Sequence, residues 1–408
     1  MEKESYFQWL HDFRKRLIQQ NTKKLVLPLY DKIDVKSLQI FRQQSRKKST
    51  SKELPVKTNL ANEFGFVFAQ NQLMKVNIPE KYQKKGLIIC DLATAWLEHQ
   101  DLFLNYFAKL ISPQEDQLVF EHYQRLNGGV LIFIPDNLSI DETLQAYFEY
   151  PINSQSLQII LIVGKNTKLS ITENQLSAQK VDGDYTFFGE IYLGSNSTLS
   201  YVVNDQAKTT GHNYFYRQFL PQNRAIVNLT SGEFTEGNVL VSNKILLKGN
   251  DTSGEVKTVA IAQQDQICAI NSRVTNYGLR TRGNILQHGV ILDRSKLVFN
   301  GIGEIIKGSR GSDSQQENRV LMLSENARGD ANPILLIDEN DVTAGHAASV
   351  GRIDEEQLYY LESRGLNADV AKRLIIRGFL ESVITVVESH KTREMLRSVI
   401  ERSLAIDD

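Results

Sequence analysis

The side chain best suited to chemistry in this sequence is His346, which stands among the small residues Ala344, Gly345, Ala347 and Ala348. Such small neighbours leave an imidazole sterically free, and a free imidazole binds iron or zinc and transfers protons near neutral pH. The polar context predicts a turn that joins a short β-like run to the helices that follow. A histidine that only caps or packs at a domain junction is the alternative interpretation.

The two cysteines, Cys90 and Cys268, add little chemistry of their own. They are far apart and lack CxxC spacing, so neither a disulfide framework nor a self-contained zinc or four-cysteine cluster site is supported. Each lies in an aliphatic stretch, where a thiol is most often a small buried hydrophobic side chain. A persulfide acceptor is the alternative for Cys268. Because the chain cannot supply four thiolates, any cluster must be held jointly with a partner.

Arg282, His288 and Asp293 lie in or beside one β-like segment. A shared polar site is one interpretation, and scattered loop residues are the other. The sequence contains no G-x-x-x-x-G-K-[ST] loop to hold nucleotide phosphates, no G-x-S-x-G nucleophile elbow and no HExxH zinc motif. Any ATPase that works with this chain is therefore expected to be a separate subunit.

Helix signals follow the histidine-bearing segment. Asp354 and Gln357 have the spacing of an N-cap and its N3 partner, and Gly365 stands where a left-handed C-cap ends a helix. Asn367 is placed to cap a second helix, after which apolar residues recur at intervals of three and four. The sequence therefore predicts a C-terminal helical domain over residues 351–408.

The middle of the chain has a different residue pattern. From about residue 117, runs of strand length rich in Val, Ile and Leu follow one another without intervening helical segments, which disfavours a doubly wound sheet or a TIM barrel. Asparagine recurs at the turns in steps of 27 to 30 residues, at Asn137, Asn166, Asn196, Asn223 and Asn250. Since asparagine tolerates the left-handed backbone conformation, it suits the corners of a stacked solenoid. A parallel β-helix over residues 117–350 is favoured, with a β-sandwich as the alternative.

The N-terminal region, residues 1–116, is predicted to be mainly helical, because apolar residues from Tyr6 to Leu17 recur at spacings of 4, 3 and 4. A stretch rich in Lys and Arg over residues 42–57 is interpreted as a solvated loop, with a phosphate-binding patch as the alternative.

The composition limits the class of protein. A length of 408 residues predicts two or three domains, and a net charge of −1 with a pI near 6.7 argues against a protein that coats nucleic acid. The charged N-terminus predicts no signal peptide, and the lack of an apolar run of about 18 residues predicts no membrane span. With only two cysteines, a reducing cytoplasm is the expected location, and the partners are expected to be proteins.

The segment from Asp341 to Gly365 resembles the SufB/SufD family of iron–sulfur cluster assembly proteins. It matches DV-x-A-x-H-x-A-x-x-G-x-ID-x-EQL-x-YL-x-SRG in order, and the match continues to Phe379. Asn127-Gly-Gly resembles the NGG that opens the β-helix of the family. The resemblance covers roughly residues 120–400 and implies a right-handed parallel β-helix between helical N- and C-terminal parts.

The resemblance also implies a function. SufD-type members carry a functionally implicated histidine at the place of His346, which makes it a candidate ligand for iron or a nascent cluster at a partner interface. SufB-type members have a cysteine near this junction that is absent here, so the resemblance is to the SufD type. It implies a cytoplasmic, non-enzymatic scaffold subunit with no tightly bound cofactor of its own. The implied partners are a SufB-like subunit and a SufC-like ABC-type ATPase, with a homodimer possible for the chain alone.

The C-terminal helices are the expected docking surface for the ATPase subunit. The residues proposed for this contact are Arg364, Gly365, Arg377, Gly378 and Phe379, with the glycines permitting close backbone approach. Two other functions are considered: a carbohydrate-active β-helix lyase or hydrolase, which would need export and a carboxylate or calcium site, and a transport-linked accessory protein.

Overall fold

The computed structural model describes residues 2–20, 25–28, 33–36, 60, 62–150, 154–177, 180–385, 387 and 390–404. The basic stretch at residues 42–57, interpreted from the sequence as a solvated loop, lies outside these ranges. No helix among the described residues is long and apolar enough to span a membrane.

The helices occupy the two ends of the chain, and the strands fill the middle. The helices are α1 (Glu2–Gln20), α2 (Glu80–Gln83), α3 (Leu92–Glu98), α4 (Gln100–Tyr106), α5 (Gln117–Arg125), α6 (Glu355–Ser363), α7 (Ala368–Ile384) and α8 (His390–Leu404). The strands are β1 (Gly65–Ala69), β2 (Gln72–Asn77), β3 (Ile88–Asp91), β4 (Gly128–Ile134), β5 (Ser139–Glu149), β6 (Gln155–Val163), β7 (Lys168–Leu176), β8 (Tyr185–Leu193), β9 (Thr198–Asp205), β10 (Lys208–Pro221), β11 (Ile226–Glu233), β12 (Glu236–Leu247), β13 (Ser253–Ala262), β14 (Ile267–Asn276), β15 (Arg282–Ile291), β16 (Lys296–Ile305), β17 (Ser312–Met322), β18 (Arg328–Ile337) and β19 (Val342–Arg352).

Strands β4 to β19 form a parallel β-helix. Each strand pairs in parallel with the strand two places further along the chain, so even-numbered and odd-numbered strands build two facing sheets. The predicted β-helix is confirmed, and the β-sandwich alternative is wrong. At the first coil the chain approaches its neighbour so closely that a Cβ on Gly129 would lie 2.0 Å from the Gln158 carbonyl oxygen, which explains the paired glycines there.

The asparagine corners are confirmed in the first coils. Asn137, Asn166 and Asn196 all adopt the left-handed conformation, with φ between 53° and 61°. Their side chains form a ladder in which Asn166 Nδ2 donates to Asn137 Oδ1 at 2.8 Å and Asn196 Nδ2 donates to Asn166 Oδ1 at 3.0 Å. The ladder links one coil to the next outside the two sheets.

In the next two coils the left-handed residue is displaced by one position, to Arg224 and Asp251. The asparagines before them keep a linking role, because Asn223 Oδ1 accepts the backbone N–H of Asn250 at 2.8 Å. Asn250 Oδ1 in turn accepts the backbone N–H of Leu279 at 2.9 Å. The recurring asparagines thus bond successive coils even where they do not supply the strained turn residue.

The interior of the β-helix changes along its axis. The first coils are filled by aliphatic and aromatic side chains. In the middle, Arg217 and Glu173 form a fully buried ion pair at 2.5 Å. Asn243 and Thr258, in the coils that follow, are buried with side-chain polar atoms that have no protein partner.

The N-terminal region contains more β structure than we expected. The amphipathic helix α1 is confirmed, and with α3, α4 and α5 it packs an aromatic cluster on the outer face of the even-numbered sheet. However, β1 joins β5 in parallel, β2 pairs antiparallel with β1, and β3 pairs antiparallel with β4. These short strands extend both sheets beyond the first coil.

Helix α6 begins and ends where the sequence predicted, and α7 begins where it predicted. The Asp354 carboxylate accepts the backbone N–H of Glu356 and Gln357, and Asn367 caps α7 by accepting the N–H of Val370. Gly365 ends the first helix with φ of 94°. Helices α7 and α8 bury one apolar face on the outer surface of β13, β15 and β17.

Candidate functional site

His346 lies within β19, where we had expected a turn. The strand pairs in parallel with β17, and His346 lies directly beside Gln316 in register. Alanine and glycine have little intrinsic preference for strands, so the segment is extended because β17 offers it a free row of hydrogen-bonding groups. The correction moves His346 from a connecting turn to the last strand of the odd-numbered sheet.

Strands β18 and β19 are the last strands of the two sheets, and together they form the open end of the β-helix. Within the described residues, no further strand pairs with either of them. Strand β19 carries no Asp, Glu or Lys, although such charges commonly protect exposed edges. In β18, Pro333 removes one backbone donor, which makes β19 the more continuous edge.

The open end is also apolar. Ile334, Leu336 and Ile337 of β18 and Val350 of β19 are each exposed by 36 to 44%. Apolar side chains beside unpaired backbone groups suit association with another protein chain. The sequence pattern does not mark these residues as exposed, because an apolar strand residue at an end has the same pattern as one in the core.

His346 lines a groove of about 600 Å³ that crosses β13, β15, β17 and β19. Glu255, Lys257 and Glu317 line the same groove, and Lys257 is paired with Glu255 at 2.6 Å. Because side chains alternate between the two faces of a strand, Glu317 projects from the face opposite to that of Gln316, the register partner of His346. Among the described residues, no three His, Cys, Asp or Glu side chains are placed to hold a metal ion together.

The cysteines lie away from this groove and are buried, as the aliphatic context predicted. Cys90 is in β3 and Cys268 is in β14, and both are free thiols. Burial, with smaller effects from Asp91 and Glu98, raises the pKa of Cys90 to about 12. Burial, with Glu233 and Asp205 adding to it, raises the pKa of Cys268 well above its usual value. Both side chains are thus held as neutral thiols, and a thiol is a poor nucleophile and metal ligand.

A second exposed surface lies on α6 and α7. Helix α6 has no buried residue. Tyr359 and Tyr360 on α6 are exposed by 73% and 54%, and Val370 and Leu374 on α7 by 43% and 49%. The sequence pattern predicted Val370 and Leu374 as part of the apolar stripe of the second helix, and only the structure shows that they do not face the core.

The five residues predicted for partner contact divide between two faces. Arg364, Gly365, Arg377 and Gly378 are exposed, and a Cβ on either glycine would meet nothing within 4 Å. The Arg364 guanidinium lies 5.1 Å from the centre of the Tyr360 ring. Phe379 instead is half-buried against the β-helix, where its ring stacks on His288.

Arg282, His288 and Asp293 do not form one site. Arg282 begins β15, His288 lies in the middle of that strand beneath α7, and Asp293 follows its end. The Asp293 carboxylate caps a neighbouring turn by accepting the Gln264 N–H at 2.7 Å. The interpretation of scattered residues holds for Arg282 and Asp293, whereas His288 has a distinct buried environment.

Comparison with known proteins connects these features to a family. Residues 149–379 match the family model for the SufBD core domain of SUF-system iron–sulfur cluster assembly. The chain is 36% identical over 334 residues to the iron–sulfur cluster assembly protein SufD of Bacillus subtilis, covering 81% of this chain and 76% of the relative. It is 22% identical to a SufBD family protein of Staphylococcus saprophyticus, covering 81% of this chain and 72% of the relative. Both endpoints of the family match lie within the described strands and helices.

Proposed function

The chain belongs to the SufBD family of iron–sulfur cluster assembly proteins and is SufD-like, and we propose that it is a scaffold subunit of a SUF complex. The observation that carries the proposal is the position of His346 on the exposed edge strand of the open end. A ligand at this position is within reach of a second chain that covers the end. The family match does not favour the carbohydrate-active alternative.

The open end is the proposed docking surface for a SufB-like subunit. Strand β19 supplies a free row of backbone donors and acceptors, and Leu336 and Val350 supply exposed apolar contacts. Pairing along the edge would bury both kinds of group at once, which is how exposed strands commonly recruit partners. The same surface is available for self-association when the chain is alone.

His346 is the proposed ligand of iron or of a nascent cluster at that interface. His346 is exposed, and it lines the same groove as Glu317. Imidazole and carboxylate groups both suit iron. Because this chain lacks a thiolate there, the sulfur-bearing ligands belong to the partner, and the cluster is cargo assembled between the subunits.

Helices α6 and α7 are the proposed docking surface for a SufC-like ATPase. The exposed apolar residues Tyr359, Tyr360 and Leu374 are bordered by Arg364 and Arg377. Aromatic and arginine side chains commonly dominate the binding energy of protein interfaces. On this proposal the chain has no catalytic activity of its own and works in the cytoplasm, and nucleotide hydrolysis in the ATPase acts on the scaffold through α6 and α7.

Substitution of the histidine tests the cluster role. His346→Ala removes the imidazole from an exposed strand position, so subunit assembly is expected to remain intact while the iron and sulfide content of the purified complex falls. His390→Ala is the matched control, because His390 is exposed in α8 with a side chain 78% accessible. Normal iron and sulfide content in the His346 variant would exclude a required role, and loss of assembly would assign the residue to packing.

The ATPase surface is tested better by point substitutions than by truncation. Removing residues 354–408 would uncover the apolar face formed by Val259 and Leu321 beneath the helices. Tyr359→Glu together with Leu374→Glu alters only exposed positions, and the pair is expected to abolish capture of the ATPase subunit. Capture that persists with this folded variant would place the docking surface elsewhere.

A further inference from the structure

His288 occupies the contact between the C-terminal helices and the β-helix. Its side chain is 2% exposed, and it projects from the outer face of β15 under α7. Nδ1 lies 3.1 Å from the Phe379 carbonyl oxygen and 3.0 Å from Ser382 Oγ, both on α7. The Phe379 ring stacks on the imidazole with centroids 4.9 Å apart. One side of the ring is therefore fixed entirely by α7.

The other side of the imidazole faces a carboxylate on the neighbouring strand. His288 Nε2 lies 2.9 Å from Glu317 Oε1, and Arg319 Nε approaches the same oxygen at 2.9 Å. Glu317 is in β17 and is paired in register with Ala347 of β19, the residue after His346. It also lines the groove that contains His346. A single buried side chain thus connects α7 to a residue that lines the groove containing His346.

The Ser382 hydroxyl is the side-chain hydrogen-bond donor that α7 brings to the contact with His288. The Ser382 hydroxyl donates to the Phe379 carbonyl at 2.8 Å, so its one proton is used within α7. Nδ1 is then left facing oxygen atoms that accept, and Nε2 faces a carboxylate that also accepts. A proton on Nδ1 satisfies the side of the imidazole that faces α7. Lifting α7 would leave that buried donor unpaired, so the positions of α7 and Glu317 are energetically linked.

We propose that His288 is a positioning residue that couples α7 to Glu317 and so to the groove at His346. With α7 docked, His288 holds the Glu317 carboxylate against the outer face of the sheet. When α7 shifts, the imidazole loses its partners on that helix and releases Glu317 toward the groove. The inference deepens the proposed function and rests on the docking of an ATPase subunit on α6 and α7.

The contact is tested first in the chain alone. His288→Phe keeps an aromatic ring against Phe379 but removes both polar contacts. We expect backbone hydrogen exchange to rise about fivefold in β17 and β19 as well as in α7, the equivalent of one net hydrogen bond. His288→Gln, which can still donate to Glu317, is expected to restore much of the protection. Faster exchange confined to α7 and β15 would show local packing only and would overturn the proposal.

The coupling is tested next in the complex with the SufB-like and SufC-like subunits. In the unaltered chain, ATP is expected to change exchange in both α7 and β19. In the His288→Phe complex the change in α7 should persist while that in β19 is lost, and a β19 response that survives would overturn the coupling. Ser382→Ala provides a second variant at an exposed position if the phenylalanine variant is poorly folded. Failure of the ATPase to bind at all would count against the proposed function, and the exchange result in the chain alone would still decide the role of His288.

Discussion

The two ends of the β-helix differ in the strands that form their edges. At the N-terminal end, β2 and β3 reverse direction and pair antiparallel with the first strands. Helices α1, α3, α4 and α5 then cover the outer face of the even-numbered sheet with an aromatic cluster. At the C-terminal end, β18 and β19 remain parallel to their neighbours, and among the described residues nothing covers their outer edges.

The difference indicates that the C-terminal end is the surface for association with another subunit, whereas the N-terminal end is stabilised by contacts within the chain. A solenoid needs a cap at each end, because an uncovered coil exposes backbone groups and core side chains. At the N-terminal end the chain places the antiparallel strands β2 and β3 at the sheet edges, and Lys75 is exposed on β2. The C-terminal end carries apolar side chains and the one histidine that the family resemblance singled out, so its cap is expected to be another subunit.

The largest expected effect concerns Glu190 of β8, which binds the loop at residues 108–111 of the N-terminal region. The fully buried Glu190 carboxylate accepts the backbone N–H of Ala108, Leu110 and Ile111 at 2.7, 2.6 and 3.0 Å. Glu190→Ala leaves these donors without an acceptor, which should lower the free energy of unfolding by about 4 kcal/mol in denaturant titrations. Glu339→Ala is the control at the open end, where the carboxylate accepts the N–H of Gly308 from a solvent-exposed position. A comparable loss in the control would remove the distinction between the ends.

The same carboxylate predicts a pH dependence. Burial raises the pKa of Glu190 to about 7, although the backbone donors of the 108–111 loop lower it. Between the unfolded pKa near 4.5 and this value the folded chain binds the proton and the unfolded chain does not, so stability falls as the pH rises through this window. Relative to Glu190→Gln, the unaltered chain should lose about 3 kcal/mol between pH 4.5 and 7.5. A constant difference between the two proteins across these pH values would contradict the prediction.

A smaller effect is expected at the open end, and it concerns binding. Leu336→Glu places a charge on the exposed apolar edge without removing a buried side chain. Affinity for the SufB-like subunit should fall at least about tenfold in titration calorimetry, with little change in unfolding. Val76→Glu is the matched control, because Val76 is 42% exposed on the edge strand β2 at the N-terminal end. Equal weakening by both substitutions would mean that the partner does not discriminate between the ends.

The sequence revealed features that depend on local chemistry. The asparagine steps and the helix caps at Asp354, Gly365 and Asn367 were predicted because each residue acts through its own backbone or that of a near neighbour. Strand β1 was missed because its five residues are extended by pairing with β5, about 80 positions away in the chain. Such pairing leaves no periodic signal in a short segment.

The sequence identified His346 as a candidate site residue but did not predict the conformation of the segment that carries it. The resemblance pointed to His346, but its alanine-rich surroundings gave no sign of a strand, since the edge of β17 determines the conformation. Leu374 is exposed although it follows the same helical period as the core residues of α7. His288 was noticed only as one of three polar residues, because its contacts come from a helix 91 positions later.

The smallest expected effect concerns the polar interior toward the open end. Thr258 is fully buried in the core, and its hydroxyl has no protein partner. Replacing such a group with an apolar isostere removes its desolvation penalty, so Thr258→Val should leave the free energy of unfolding unchanged or raise it by up to about 1 kcal/mol. Thr252→Val is the control, because the Thr252 hydroxyl is also buried but donates to the Gly249 carbonyl at 2.9 Å, and losing that bond should cost about 1 kcal/mol. If both substitutions destabilise equally in denaturant titrations, the Thr258 hydroxyl must be bonded to water inside the β-helix.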